Sequence, residues 1–167
     1  GLLEKDVVLD IALKLKKLIK KKLGYKVILT RNDDVFIPLQ ERTDIANNNK
    51  ADIFISIHAN ASKRKDASGI ETYYLDFAKS DRALETAARE NKVPRSNIQD
   101  DVQYILADMV ANTKMNESSQ LAGIVQNNLI QGMRKKFKRV KDLRAKGGPF
   151  YVLHGANMPS VLVETSF

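Results

Sequence analysis

Two short runs, Asp52–His58 (Asp-Ile-Phe-Ile-Ser-Ile-His) and Val161–Glu164 (Val-Leu-Val-Glu), are almost wholly apolar until their last residue, where each carries a group that is costly to bury. Apolar runs this short, without polar alternation, fit strands covered on both faces, which requires helices on either side of a sheet. A carboxylate or imidazole ending such a strand must be paired, bound to a cation or kept neutral. The two runs therefore predict an α/β domain whose polar site gathers at the carboxyl ends of strands.

The intervening segments fill in this architecture. Val7, Val8, Ile11, Leu15, Leu18, Ile19 and Leu23 recur at helical spacing, which predicts an amphipathic helix over 4–23 stopped by Gly24. Tyr25–Arg31 reads as a short β-rich run, Pro38–Asn49 as a second helix with Pro38 in its first turn, and Gly69–Asp76 as another strand. From Lys79 to Lys138 the chain turns helical and polar, with helices expected at 80–92, 99–112 and 117–137 and a break at Val93–Asn97. The 80–92 helix has a thin apolar stripe, so little is expected to hold it in the core. Gly147-Gly148-Pro149 marks a turn before Phe150–Leu153, and Pro159 opens the final strand. The expectation is one domain over 1–167, a twisted mixed or mostly parallel sheet flanked by helices. Glu4 begins a helix with no preceding strand and Phe167 follows directly on a buried strand, so both ends read as cut.

Composition narrows the chemistry. A chain of 167 residues fits one domain, long enough to bury roughly 70% of the surface its unfolded form exposes. It has no Cys, which excludes thiol catalysis, thiolate metal sites and disulfides. No apolar run approaches the roughly 18 residues of a membrane span. The net charge of +8, concentrated in Lys14–Lys22 and Arg134–Lys146, suits anionic surroundings. With no Trp and few aromatics among those basic residues, nucleic acid is not the expected partner.

Three residues stand out as candidates for chemistry. Glu4 precedes Val7, Val8 and Ile11 by three, four and seven positions, so it shares the face expected to be buried. His58 and Glu164 end the two apolar runs. A His and a Glu that polarise a metal-bound water, with a second Glu taking its proton, form the pattern of metal-assisted hydrolysis. A catalytic zinc usually has about three protein ligands, so one is missing; it would be His154, after Phe150–Leu153, or lie upstream of Gly1. His154 is followed by Gly155 and a variable-looking loop, which weighs against it.

Beyond the residue chemistry, Glu4–Leu9, Leu29-Thr30-Arg31, Leu39–Asn47 (Leu-Gln-Glu-Arg-Thr-Asp-Ile-Ala-Asn), Ser56–Asn60, Gly69–Thr72 and Pro159–Glu164 closely resemble, in order and spacing, the zinc-dependent N-acetylmuramoyl-L-alanine amidases. The resemblance implies that Glu4 and His58 bind zinc, that Glu164 is the catalytic base, and that the family's first strand and its zinc-binding His are absent here. Ala87–Asn91 and Ile105–Met109 look like the cell-division branch. There an inserted helical segment, here about 79–113, occupies the site until an activator protein removes it, and Glu90 matches the Glu that caps the metal.

The resemblance implies hydrolysis of the amide between the lactyl group of N-acetylmuramic acid and the L-alanine of the peptidoglycan stem peptide. A periplasmic or extracellular monomer without a transmembrane segment is expected. Two other readings are weighed: a related zinc metallo-exopeptidase, which would need a pocket for a charged terminus, and a non-catalytic wall-binding module, which intact Glu4, His58 and Glu164 argue against.

Overall fold

Phe54–His58 (β1), Ile70–Leu75 (β2), Asp142–Gly148 (β3) and Ser160–Glu164 (β4) form one sheet in the order β1-β4-β2-β3. The structure, a computed structural model, describes residues 3–59, 68–76, 80–100 and 114–165. β1 and β4 are parallel, β2 and β3 are parallel, and the two pairs meet antiparallel between β2 and β4. The sheet is thus mixed, as expected.

Strand side chains alternate between faces, so the register sorts residues into two sets. Phe54, Ser56 and His58 share a face with Ser160, Leu162 and Glu164, and with Glu71 and Tyr73. Leu39–Asn48 (α2), Asp81–Asn91 (α3) and a 3-10 turn at Tyr151–Leu153 cover this face. They supply Ala46, Ala83, Ala87, Val152 and Leu153 to a cluster with Phe54, Tyr73, Leu75 and Leu162. The opposite face packs Val161, Val163, Ile55 and Tyr74 against Ala122, Leu121, Val125 and Leu129. Those four lie on the helix Met115–Arg134 (α5). A buried polar clip completes that side: Gln126 donates to the Ile70 carbonyl (2.9 Å) and to Asp142 (2.7 Å) and accepts from Thr72 (2.8 Å).

Several expectations are corrected. The helix Glu4–Leu23 (α1) forms with Gly24 as its left-handed cap (φ 71°), yet none of its residues is fully buried. Tyr25–Arg31 is not a strand: no strand among the described residues lies beside it to complete a ladder, and Tyr25 is 68% and Ile28 41% exposed. Conversely β3 falls in a stretch too polar to read as a strand, with Gly147 and Gly148 inside the strand and not in a turn. It is an edge strand, bulged opposite Ile70–Thr72, and such a strand needs no apolar alternation. A short helix, Arg95–Asp100 (α4), begins inside the expected break at Val93–Asn97, because Pro is tolerated at a helix start. Residues 101–113, most of the helix expected at 99–112, lie outside the described residues. The α3 helix is held more firmly than its stripe suggests, with Ala83, Thr86, Ala87 and Asn91 all buried.

The close approach of β3 to the end of β2 explains one glycine. A Cβ on Gly147 would stand 2.5 Å from the Asp76 Cβ. Gly147→Ala is expected to destabilise the fold by about 1–3 kcal/mol, measured as a lower urea midpoint. An unchanged midpoint would show that Asp76 yields freely.

Candidate active site

The β1–β4 register places His58 directly opposite Glu164, and the β2–β4 register places Glu71 opposite Glu164 on its other side. One row, His58–Glu164–Glu71, therefore crosses three strands on a single face. The end of β1 is fastened to the chain after β4: the Thr165 N–H and hydroxyl both donate to the His58 carbonyl at 2.9 Å.

Glu4 reaches this row from the first turn of α1. Arg31 donates to the Lys5 carbonyl (2.7 Å) and Lys5 pairs with Asp34, which ties the helix start to the 31–34 loop. The Ala59 N–H then donates to Glu4 Oε1 at 3.0 Å. Glu4 Oε1 lies 3.3 Å from His58 Nδ1, while its side chain stays 42% exposed, so it faces the rim and not the interior. Glu90, in the last turn of α3, places Oε2 2.8 Å from the same nitrogen. The far ring nitrogen, Nε2, is 3.1 Å from the Ser56 hydroxyl.

One ligand atom from each of Glu4, His58 and Glu90 lies within 4.8 Å of the others. One imidazole nitrogen and two carboxylate oxygens converging on a point form a donor set that suits a divalent metal. His154 is not part of this group; its ring packs edge-on against Tyr151, with centroids 5.6 Å apart.

Glu164 is fully buried, and neither of its carboxylate oxygens has a hydrogen-bond partner among the described residues. Among the described residues the Arg89 guanidinium lies 3.8 Å from its Oε1 and donates to Glu90 at 3.0 Å. Burial pushes the Glu164 carboxyl up to about 8, aided by Glu90 and Glu4 and opposed by His58 and Arg89. Burial is also the largest influence on His58 and disfavours its charge. The bonds from Glu4 and Glu90 outweigh it and raise the imidazole from its ordinary 6.5 to about 9. The bond to His58 holds the Glu4 carboxyl below its usual range against partial burial. Burial works hardest against the Glu90 anion, but His58 and Arg89 bring that carboxyl down as well.

The structure thus brings together all four residues singled out from the sequence: Glu4, His58, Glu90 and Glu164. It adds two that sequence reasoning passed over. Arg89 lies within a stretch already noted for its neighbour, and Glu71 lies in the Gly69–Thr72 stretch. Their only signal was position: nothing in the local pattern shows that an exposed helix-end Arg or a strand-start Glu will meet this row.

Comparison with known proteins gives the family. The family described as N-acetylmuramoyl-L-alanine amidase matches residues 1–167. The amidase AmiC of Escherichia coli O6:H1 is 34% identical over 98% of this chain and 40% of its own length. AmiA of Escherichia coli K12 is 34% identical over the whole of this chain and 58% of its own length. A solved N-acetylmuramoyl-L-alanine amidase from Clostridium difficile 630 superimposes with a TM-score of 0.70 at 30% identity, covering 99% of this chain and 68% of that one. AmiC2 of Nostoc punctiforme gives 0.66 at 31% identity, over 100% and 68%. The chain belongs to the N-acetylmuramoyl-L-alanine amidase family. It spans only 40% and 58% of the two curated relatives named here.

The raised His58 pKa fixes the sign of a pH effect. The folded, metal-free protein binds this proton more tightly than the unfolded chain does. The resulting stability is therefore complete below the ordinary 6.5 and lost as pH rises through about 9. Glu164, raised from 4.5 to about 8, acts in the same direction over its own window. In chelator, the melting temperature is expected to fall as pH rises from 6 to 9.5, and His58→Gln is expected to flatten part of that fall. A melting temperature that rises across this range would refute the assignment.

Proposed function

We propose that this chain hydrolyses the amide between the lactyl group of N-acetylmuramic acid and the L-alanine of the stem peptide in peptidoglycan, using a zinc ion. The observation that carries the reading is the convergence of Glu4, His58 and Glu90 on one point, beside the buried carboxylate of Glu164, which has no hydrogen-bond partner among the described residues. Family membership supports the substrate. The +8 charge suits an anionic wall, and the proposed location is the periplasm or cell exterior. Among the described residues no helix is long and apolar enough to cross a membrane.

Glu4 and His58 would hold the zinc, with Glu90 at the third donor position while α3 is seated. When bound, zinc polarises an amide carbonyl and makes water more acidic. His58 would hold the ion through Nδ1, because Nε2 meets Ser56, which orients the ring. Glu164 takes the proton of the attacking water at a carboxylate oxygen and delivers it to the leaving amine nitrogen. That role needs its anion, which burial disfavours in the metal-free protein and a nearby dication favours.

Glu164→Gln is expected to lower cleavage of purified peptidoglycan by at least about 100-fold while zinc content stays unchanged. His58→Ala and Glu4→Ala should lose zinc as well. The assay is release of free alanine amino groups; new reducing sugar ends would identify a glycosidase and reject the reading.

Glu90 has a regulatory role in this proposal. Its carboxylate would fill a donor position needed by the substrate carbonyl, so α3 would have to move for turnover. An activator protein is the proposed cause of that movement; a related amidase, CwlD of Clostridioides difficile, has been solved in complex with the GerS lipoprotein. Glu90→Ala is expected to raise basal cleavage without a partner while zinc is retained. A rate at or below that of the unmodified protein, with zinc still bound, would reject the capping role.

A further inference from the structure

The helix that delivers Glu90 begins on another carboxylate of the same face. Glu71 on β2 is fully buried, yet it carries two cations. Arg82, in the first turn of α3, sets Nε 3.1 Å from Oε2 and a terminal nitrogen 3.3 Å from Oε1, a two-pronged grip. Lys146 on β3 donates to Oε2 at 3.0 Å. Glu71 thus has one counter-ion that belongs to the sheet and one that belongs to the helix.

The spacing of these contacts matches the sheet beneath. Glu90 lies eight residues beyond Arg82 on the same helix, which is about 12 Å along the axis. Glu71 and His58 flank Glu164 on the adjacent strands, so they stand about 10 Å apart at ordinary strand spacing. Arg82, Thr86 and Glu90 recur at four-residue intervals and so share one face of the helix. Thr86 lies 3.5 Å from the Tyr73 hydroxyl, on the same sheet face as Glu71. With Arg82 on Glu71, the helix length itself sets Glu90 down at His58.

We propose that Glu71 is a positioning residue: through Arg82 it sets the register of α3 across the sheet, and so holds Glu90 on His58. The clamp is releasable because Lys146 stays on Glu71 when the helix leaves. A buried carboxylate that loses all its partners destabilises a fold strongly, and here it does not lose them all. The apolar seat of α3 that release must give up is small, Ala83 and Ala87 fully buried with Leu84 and Ala88 partly buried against the same core. Further polar contacts hold the helix beyond Arg82: Thr86 meets the Tyr73 hydroxyl, and at the far end Asn91 donates to the Pro149 carbonyl (2.7 Å) and accepts from the Tyr151 N–H (2.9 Å).

This inference rests on the capping role proposed for Glu90 only for its effect on activity; the clamp itself is tested without it. Hydrogen exchange of the α3 amides, residues 81–91, is compared in the zinc-loaded protein and its Arg82→Gln and Arg82→Lys variants. Losing a pair of charge-assisted bonds should speed exchange there by about tenfold or more, with the β1, β2 and β4 amides unchanged. Arg82→Lys, which keeps the charge but not the two-pronged geometry, should fall between. Unchanged α3 exchange in Arg82→Gln overturns the clamp, and so does faster exchange spread equally over the sheet, which would mark a merely structural pair. Peptidoglycan cleavage without a partner is then measured on the same variants. A rise in step with α3 exchange supports both readings. Faster α3 exchange without a rise leaves the clamp standing and rejects the capping role of Glu90.

Discussion

A carboxyl group buried from water, with no hydrogen-bond partner on either oxygen among the described residues, holds its proton above the ordinary range, and Glu164 is held in that condition by strand register. Val161 and Val163 pack toward α5 while Ser160, Leu162 and Glu164 face α2 and α3. A slip of one residue would turn Glu164 into the apolar layer against α5 and point a valine at His58. The alternation of β4 thus fixes the fold and the chemistry together. Both β1 and β2 are registered against β4, and β1 brings His58 opposite Glu164.

The two layers over this sheet differ in kind. On the α5 side the contacts are aliphatic, closed by the Gln126 clip between β2 and β3. On the other side, the region near Phe54, Tyr73 and Leu162 is equally apolar. Toward Glu164 the packing becomes polar, and α3 meets the sheet through Arg82, Thr86, Arg89, Glu90 and Asn91. Such a surface separates with less loss than an aliphatic one, because water can replace the partners of an ion pair and cannot replace those of a buried leucine. On the proposed reading, the layer that buries the site is also the one that leaves it.

Much of this was legible in the sequence because the informative elements are buried on both faces. The β1 and β4 runs declare themselves as strands by being apolar throughout, and their terminal His58 and Glu164 by breaking that rule. Where structure depends on a neighbour, the pattern fails. Tyr25–Arg31 has β-rich composition but no ladder beside it among the described residues. Asp142–Gly148 has polar, glycine-bearing composition yet forms an edge strand, because β2 offers a partner and Gly147 permits the approach to Asp76. The helical spacing of α1 was read correctly, while the burial of its face was not, since periodicity shows that a helix has two sides and says nothing of what covers them. Arg89 and Glu71 were missed for the same reason: their roles come from contacts between elements distant in the chain.

Charge ties these parts together. The Glu164 carboxyl is raised first by burial, and among its neighbours Glu90 raises it while Arg89 lowers it. Both of those residues ride on α3. On the proposed reading, lifting the helix withdraws one opposing charge of each sign, so the electrostatic balance at Glu164 changes little, while the cover that excludes water is removed. What remains is a carboxyl near His58 with its dominant perturbation weakened, free to ionise closer to the ordinary range. On the same reading a seated helix keeps Glu90 at a donor position and, in the metal-free protein, the neighbouring carboxyl in its protonated form. Its departure would open the metal position and admit water to Glu164 in one movement, while a bound dication would add to the pull on that proton.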